Sequence, residues 1–143
     1  MTPEQEQILR ERLIRTEGRR NRPYVDTVGK VTIGIGHNLT DKGLNDTIVE
    51  ILFHQDILEA EIDVNKIPVY AKLDPIRQTV LLDMVFNMGL YRLIEFRRTI
   101  LYLERGDFDG AADEMLLSTW AKQVGHRAIE LATIIRTGRI SGE

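Results

Sequence analysis

The sequence predicts an α+β protein that is mostly helical, with a small antiparallel sheet lobe and a helical lobe joined by a long helix. Three observations predict it. Residues 19–37 are punctuated by Pro23, Gly29, Gly34 and Gly36, with β-favouring residues between them, which excludes a long helix there. Residues 45–64 repeat apolar positions at helical spacing with no proline or glycine. Beyond Pro68 the helical period returns in segment after segment, and the breaks fall at Gly89, Gly106 and Gly138.

Taken in order, Thr2 reads as an N-cap, with Pro3 at the first helical position and Gln5 completing a capping box. Ile8, Leu9, Leu13 and Ile14 recur at helical spacing, and Gly18 suits the position just past the helix end, so Glu17 falls in the last turn. Tyr24-Val25 and Lys30–Ile35 then read as strands around the turn Asp26–Gly29. In strand geometry Val31, Ile33 and Ile35 share the face expected to bury, while Lys30, Thr32 and Gly34 share the outward face, a candidate cleft wall. Thr40–Gly43 reads as a loop. A helix from Asn45 or Thr47 to about Val64 has Ile48, Ile51, Leu52, Gln55, Leu58 and Ile62 as its core stripe. Asp74-Pro75 caps a helix running to Gly89 that is apolar nearly all round and so expected to be buried on all sides. Further helices are expected over Leu93–Glu104, Phe108–Leu117 and His126–Ile135. The domain plan is one domain over 1–143. It comprises an N-terminal helix 1–18 packing on the helical lobe, a sheet lobe of about 19–44, a connecting helix of about 45–65, and a helical lobe of about 66–143.

A chain of 143 residues, 43% of them hydrophobic, buries enough surface to fold without crosslinks, and it has no cysteine. That rules out disulfides and thiolate chemistry. The net charge of −3 is unevenly spread. Residues 1–43 carry eight basic against six acidic side chains, 44–76 two against seven, and 77–143 nine against nine. No basic patch suggests nucleic-acid binding. The polar start lacks the features of an export signal, and no apolar stretch is long enough to span a bilayer, so membrane insertion is not expected.

Two carboxylates on facing elements are what glycosidic cleavage requires: one acid to protonate the departing oxygen, and one carboxylate to activate water or attack the sugar. Glu17 leaves an amphipathic helix against apolar neighbours, whereas Asp26 sits in a polar turn, an asymmetry that favours Glu17 as the acid. On bare residues the pair says little, because surface Glu and Asp are common.

The pattern around the pair is specific. Glu17-Gly18, then Tyr24-x-Asp26-x-x-Gly29-x-x-Thr32-Ile-Gly-x-Gly-His37, resembles the active-site region of the phage-type, T4-like lysozymes, glycoside hydrolases of bacterial peptidoglycan. Leu52-Phe53-x-Gln55-Asp56, Val69-Tyr70-x-x-Leu73-Asp74-x-x-Arg77, Met84-Val-Phe86-x-Met88-Gly89, Trp120-x-x-Gln123 and Arg136-Thr-Gly138 extend the resemblance over nearly the whole chain. It implies Glu17 as general acid, Asp26 as partner carboxylate, and Thr32 as a hydroxyl that helps hold the attacking water. It also implies substrate in a cleft between the lobes and, for an inverting reaction, carboxyls about 6.5–9.5 Å apart.

His37 can be read as a base or a metal ligand, but three scattered histidines without a ligand-spaced partner do not make a metal site. The resemblance implies instead that His37 forms a structural pair with Asp56. Gly34-x-Gly36 lacks the third glycine and the helix of a nucleotide fingerprint, so close approach of backbone to sugar at these two glycines is the better reading, with a bend in the strand as the alternative. Arg127 matches an arginine that lies across the cleft from the acid in the family, and it is expected to position substrate. Asn87 is expected to bond saccharide amides. Trp120 and Phe86 read as core residues rather than sugar platforms.

The resemblance implies a muramidase acting on the β-1,4 bond between N-acetylmuramic acid and N-acetylglucosamine, monomeric and without cofactor. Its partner would be bacterial peptidoglycan, reached from the host cytoplasm through a membrane hole made by another protein. A lytic transglycosylase on the same scaffold and a catalytically silent wall-binding module are the rival readings. Thr32 argues against the first, and the complete set of three residues against the second.

Overall fold

The computed structural model describes residues 1–140, which fall into two compact units divided at Ile51/Leu52. The first begins with α1 (Pro3–Glu17), entered as its sequence dictates: the Thr2 hydroxyl accepts from the Gln5 N–H, and the Gln5 side chain accepts from the Thr2 N–H. The helix ends where Gly18 takes φ 81° and its N–H closes on the Ile14 carbonyl. Three antiparallel strands follow in the order β1 (Arg20–Val25), β2 (Val31–Gly34), β3 (His37–Asn38), with β2 in the centre. Arg20 pairs with Gly34 and Tyr24 with Thr32, and the register slips between them. Pro23 lies in that interval and has no N–H to give the ladder. A short helix α2 (Leu39–Lys42), capped by Asn38, replaces the expected loop at Thr40–Gly43. Its cap is local, since the Asn38 side chain accepts from the Asp41 N–H.

The facing of β2 corrects the expectation. Thr32 is buried at 4% exposure and Val31 is 40% exposed, so the inner face is the threonine's. In the central strand a β-branched threonine packs as well as a valine, provided its hydroxyl finds an acceptor, and the Lys30 carbonyl supplies one at 3.1 Å.

Helix α3 (Asp46–Val64) straddles the division. Its packed positions are Ala60 and Val64, with Ile57 half-buried, and not the stripe through Ile48, Ile51, Leu58 and Ile62, which is exposed. Apolar residues lie on most of its faces, so periodicity alone does not single out the packing stripe.

The hydrophobic core lies in the second unit, around Val64, Val69, Val80, Leu81, Met84, Leu93, Met115 and Ile135. Burying each of these side chains stabilises the fold by about 1.5–3 kcal/mol. A 3-10 turn (Pro68–Lys72) leads to α4 (Pro75–Met88), capped by Asp74. This helix is not buried all round: Val80, Leu81, Met84 and Val85 pack inward, while Phe86 is 51% exposed. The helix expected over Leu93–Glu104 is two, α5 (Leu90–Ile94) and α6 (Arg97–Glu104), broken at Glu95-Phe96. Helix α7 (Phe108–Leu117) has the expected bounds; a short α8 (Thr119–Val124), capped by Ser118, went unforeseen; α9 (His126–Thr137) runs two residues beyond expectation. Arg77 ties α4 to the end of α9, donating from Nε to the Ile135 carbonyl at 2.6 Å while its guanidinium stacks 3.5 Å from the Phe108 ring. Among the described residues no helix is long and apolar enough to cross a membrane.

Candidate active site

Glu17, Asp26 and Thr32 all lie in the first unit, on three different pieces of backbone. Glu17 is the last residue of α1 and is exposed rather than buried against apolar neighbours. Its stem lies against the β2–β3 turn, where a Cβ built on Gly36 would fall 3.0 Å from Glu17 Cγ. Gly36 also has φ +67°, so two independent constraints select glycine there. Gly34, expected to approach the sugar, opens the same turn at φ +70° with open space where its side chain would be.

Asp26 is fixed by its own turn. Its Oδ1 accepts from the N–H groups of Val28 (3.0 Å) and Lys30 (2.8 Å). Among the described residues Oδ2 accepts from no donor, and none of their cations lies within ion-pairing distance. The neighbouring ammonium is held elsewhere, with Lys30 Nζ on Asp41 at 3.0 Å. Lys30 is nonetheless central through its backbone: its carbonyl accepts from the Asp26 N–H (2.9 Å) and from the Thr32 hydroxyl (3.1 Å). Carboxylate and hydroxyl therefore share one anchor. Because a carbonyl only accepts, the Thr32 proton is committed to it and the Thr32 oxygen offers lone pairs to anything else.

His37 Nε2 lies 2.7 Å from the Gly43 carbonyl, which makes Nε2 the protonated nitrogen and closes the α2 turn onto β3. That bond lies within the histidine's own unit. The expected partner of His37, Asp56, belongs to the second unit.

The remaining expected residues are in the second unit. Arg127 donates from Nε (3.0 Å) and from Nη2 to one oxygen, Asp83 Oδ1. This pair borders an apolar pocket with Phe53, Ile57 and Phe86. Asn87 accepts from Trp120 Nε1 at 2.8 Å, and its amide N–H groups have no acceptor among the described residues. Trp120 is core, at 7% exposure, with its ring edge-on to Phe96. Among the described residues no group of His, Asp and Glu side chains is placed to hold a metal ion.

Sequence reasoning passed over Lys30, Asp83 and the contact that Gly36 makes with Glu17. Lys30 acts through backbone atoms, which leave no trace in residue type. Gly36 was visible in Gly34-x-Gly36, but its contact with Glu17 was not. Asp83 carried a readable signal, a lone carboxylate in the apolar run Val80–Met88, where a partner is required.

A family model described as phage lysozyme matches residues 14–136. Two curated proteins of Dictyostelium discoideum are similar over most of their own lengths. Probable T4-type lysozyme 1 is 29% identical over 87% of this chain and 91% of its own. Probable T4-type lysozyme 2 is 28% identical over 92% and 95%. The pre-baseplate central spike protein Gp5 of Enterobacteria phage T4 is 29% identical over 92% of this chain, a match confined to 28% of that longer protein.

Proposed function

The chain belongs to the phage lysozyme family, a group of cell-wall hydrolases, and we propose that it is a muramidase cutting the β-1,4 bond between N-acetylmuramic acid and N-acetylglucosamine. Glu17 is the general acid, giving its proton to the glycosidic oxygen as the bond to the anomeric carbon breaks. Asp26 is the base and Thr32 holds the water. The observation that carries this reading is the shared anchoring of Asp26 and Thr32 on Lys30.

That anchoring dictates how a water would sit. Thr32 offers only lone pairs, and Asp26 keeps Oδ2 free, so a water held by both donates one proton to each. Its own lone pair then points away from them, toward the electrophile. As water attacks, Asp26 takes the proton it already accepts. Inversion follows when the two carboxyls stand about 6.5–9.5 Å apart with that water between. Gly34, Asn87 and Arg127 bind the saccharide in this reading. Asn87 does so through its free amide N–H groups, and Arg127 as a positioning residue held by Asp83. His37 is a structural residue in this reading, held to the Gly43 carbonyl.

The enzyme works as a monomeric endolysin without a cofactor. It is made in the host cytoplasm and released onto the wall when another protein opens the membrane. The test is reducing-end release from purified peptidoglycan by the wild type, Glu17→Gln and Asp26→Asn, with folding checked by melting. Loss of at least about 10²-fold in both variants is expected, the range for removing a positioned acid or base. Undiminished activity in Glu17→Gln would overturn the acid assignment, and 1,6-anhydro ends from the wild type would identify a transglycosylase.

A further inference from the structure

Asp26 and Lys30 are cross-strand neighbours that do not form the ion pair their charges invite. The β1–β2 ladder pairs Tyr24 with Thr32 and Val25 with Val31, and the Asp26 N–H, bonded to the Lys30 carbonyl at 2.9 Å, carries the alternation one pair further. Residues opposite one another in an antiparallel ladder project from the same face with Cβ atoms about 4.5–5.5 Å apart, so a lysine stem there is long enough to reach the carboxylate. The Lys30 ammonium lies instead on Asp41 Oδ1 at 3.0 Å, and no ion pair among the described residues joins it to Asp26.

Asp41 takes the ammonium because it is held ready for it. Asn38 bonds it twice: Asn38 Oδ1 accepts from the Asp41 N–H at 3.0 Å, and Asn38 Nδ2 donates to Asp41 Oδ2 at 2.9 Å, which leaves Oδ1 for Lys30. Asn38 is itself fixed, being the ladder partner of Thr32. One residue before Asp41, the Thr40 hydroxyl accepts from the Val31 N–H at 2.8 Å. Helix α2 is therefore fastened to the start of β2 at two successive residues, Lys30 and Val31. An exposed pair such as Lys30–Asp41, with side chains 38% and 53% exposed, adds little to stability by itself. Its consequence is where it puts the charge.

We propose that Asp41 is a positioning residue for the hydrolysis, holding the Lys30 ammonium off Asp26 so that the carboxylate stays open to water. The proposal rests on the reading of Asp26 as the base. An ammonium on Asp26 Oδ2 would take the acceptor that the water needs. It would also stabilise the charged carboxylate, which opposes the proton uptake that a base performs. Lys30 thus has its two ends separated: its backbone N–H and carbonyl anchor Asp26 and Thr32, while its side chain is held on α2. Among the described residues Lys30 is the only cation paired with Asp41, and Asp26 is paired with none. Releasing one side chain is therefore enough to change the charge beside the base.

The test is a double-mutant cycle on the full chain, read as kcat and KM for cleavage of soluble peptidoglycan fragments and as the ¹³Cγ NMR shift of Asp26. Asp41→Asn keeps the size of the side chain and its N–H bond to Asn38 but releases the ammonium. It is expected to lower kcat about fivefold, the scale of one exposed ion pair, with KM unchanged, and to move the Asp26 signal. In the Lys30→Met background, where no ammonium remains, the same substitution should change neither. Equal kcat losses in both backgrounds would make Asp41 a structural support alone and overturn the proposal. No loss in either background, or an Asp26 signal that stays in place, would overturn it as well. If Lys30→Met does not fold, Lys30→Gln supplies the neutral background. The NMR shift is read without turnover, so a wild type that leaves peptidoglycan uncut defeats the proposed function, while an Asp26 signal that moves only when Lys30 is present still establishes that Asp41 holds the ammonium away.

Discussion

Gly36 has no side chain, and Glu17 occupies the space where one would be. Gly36→Ala adds a methyl 3.0 Å from Glu17 Cγ and forces an L-residue to φ +67°, the second of which alone costs roughly 1–2 kcal/mol. The expected outcome is a lower melting temperature together with a kcat loss larger than that stability change explains, because the carboxyl is pushed off its position. Steady-state kinetics well below the melting point checks it, and an unchanged kcat would show that Glu17 is indifferent to this contact. Thr32→Val keeps the shape of a buried β-branched residue but removes the acceptor proposed for the water. An activity loss of about tenfold or more is expected, at the scale of one hydrogen bond, and full activity in a folded variant would remove Thr32 from the mechanism. Neither effect is legible from residue type, because each depends on which backbone atom faces which side chain. The three proposed reactive residues themselves were legible, being carried by side chains at fixed spacing along one continuous stretch.

Three helix starts were read well from their caps, Thr2-Pro3, Asp74-Pro75 and Asp107, whereas the short helices capped by Asn38 and Ser118 were missed. Where no cap chemistry exists the sequence misled. Phe96 starts α6 without a side-chain bond, so the break between α5 and α6 was invisible, and β3, two residues long, is below what alternation can reveal. The cap at Asp74 is testable through pH. Burial pushes its carboxyl up, but hydrogen bonds from the Arg77 N–H and guanidinium outweigh that, and the net result lies below the usual aspartate value. A carboxyl lowered in the folded state contributes stability that is fully present above its unfolded pKa and lost as pH falls through the folded one. Asp74→Asn keeps a cap oxygen but loses the ion pair, and with 39% of the side chain exposed the effect at pH 7 should be at most about 1 kcal/mol. Thermal melts of the two proteins should differ at neutral pH and converge as pH drops below about 4. A gap that persists at low pH would mean that the ion pair is not its source.

The whole chain carries a net charge of −3, with the acid concentrated in residues 44–76. A wall polymer rich in carboxylates is not drawn to such a surface by long-range attraction. Raising ionic strength from about 10 to 150 mM shortens the screening length from roughly 30 to 8 Å. Turnover of peptidoglycan at low substrate should then hold steady or rise, and a steep fall would reveal a basic binding surface that the charge distribution does not suggest. At this scale the mostly helical fold with an early small sheet was legible, because glycine and proline separate one period from the other. The packing stripe of α3 was not, because apolar residues on most of its faces erase the period. The central claim, that Asp26 and Thr32 present a water to a bond protonated by Glu17, is tested most directly by digesting peptidoglycan in H₂¹⁸O and weighing the fragments. The account predicts one ¹⁸O at each new reducing muramic acid end, released by the wild type and not by Glu17→Gln. Fragments with unlabelled 1,6-anhydro ends, or equal labelled release by the variant, would contradict it.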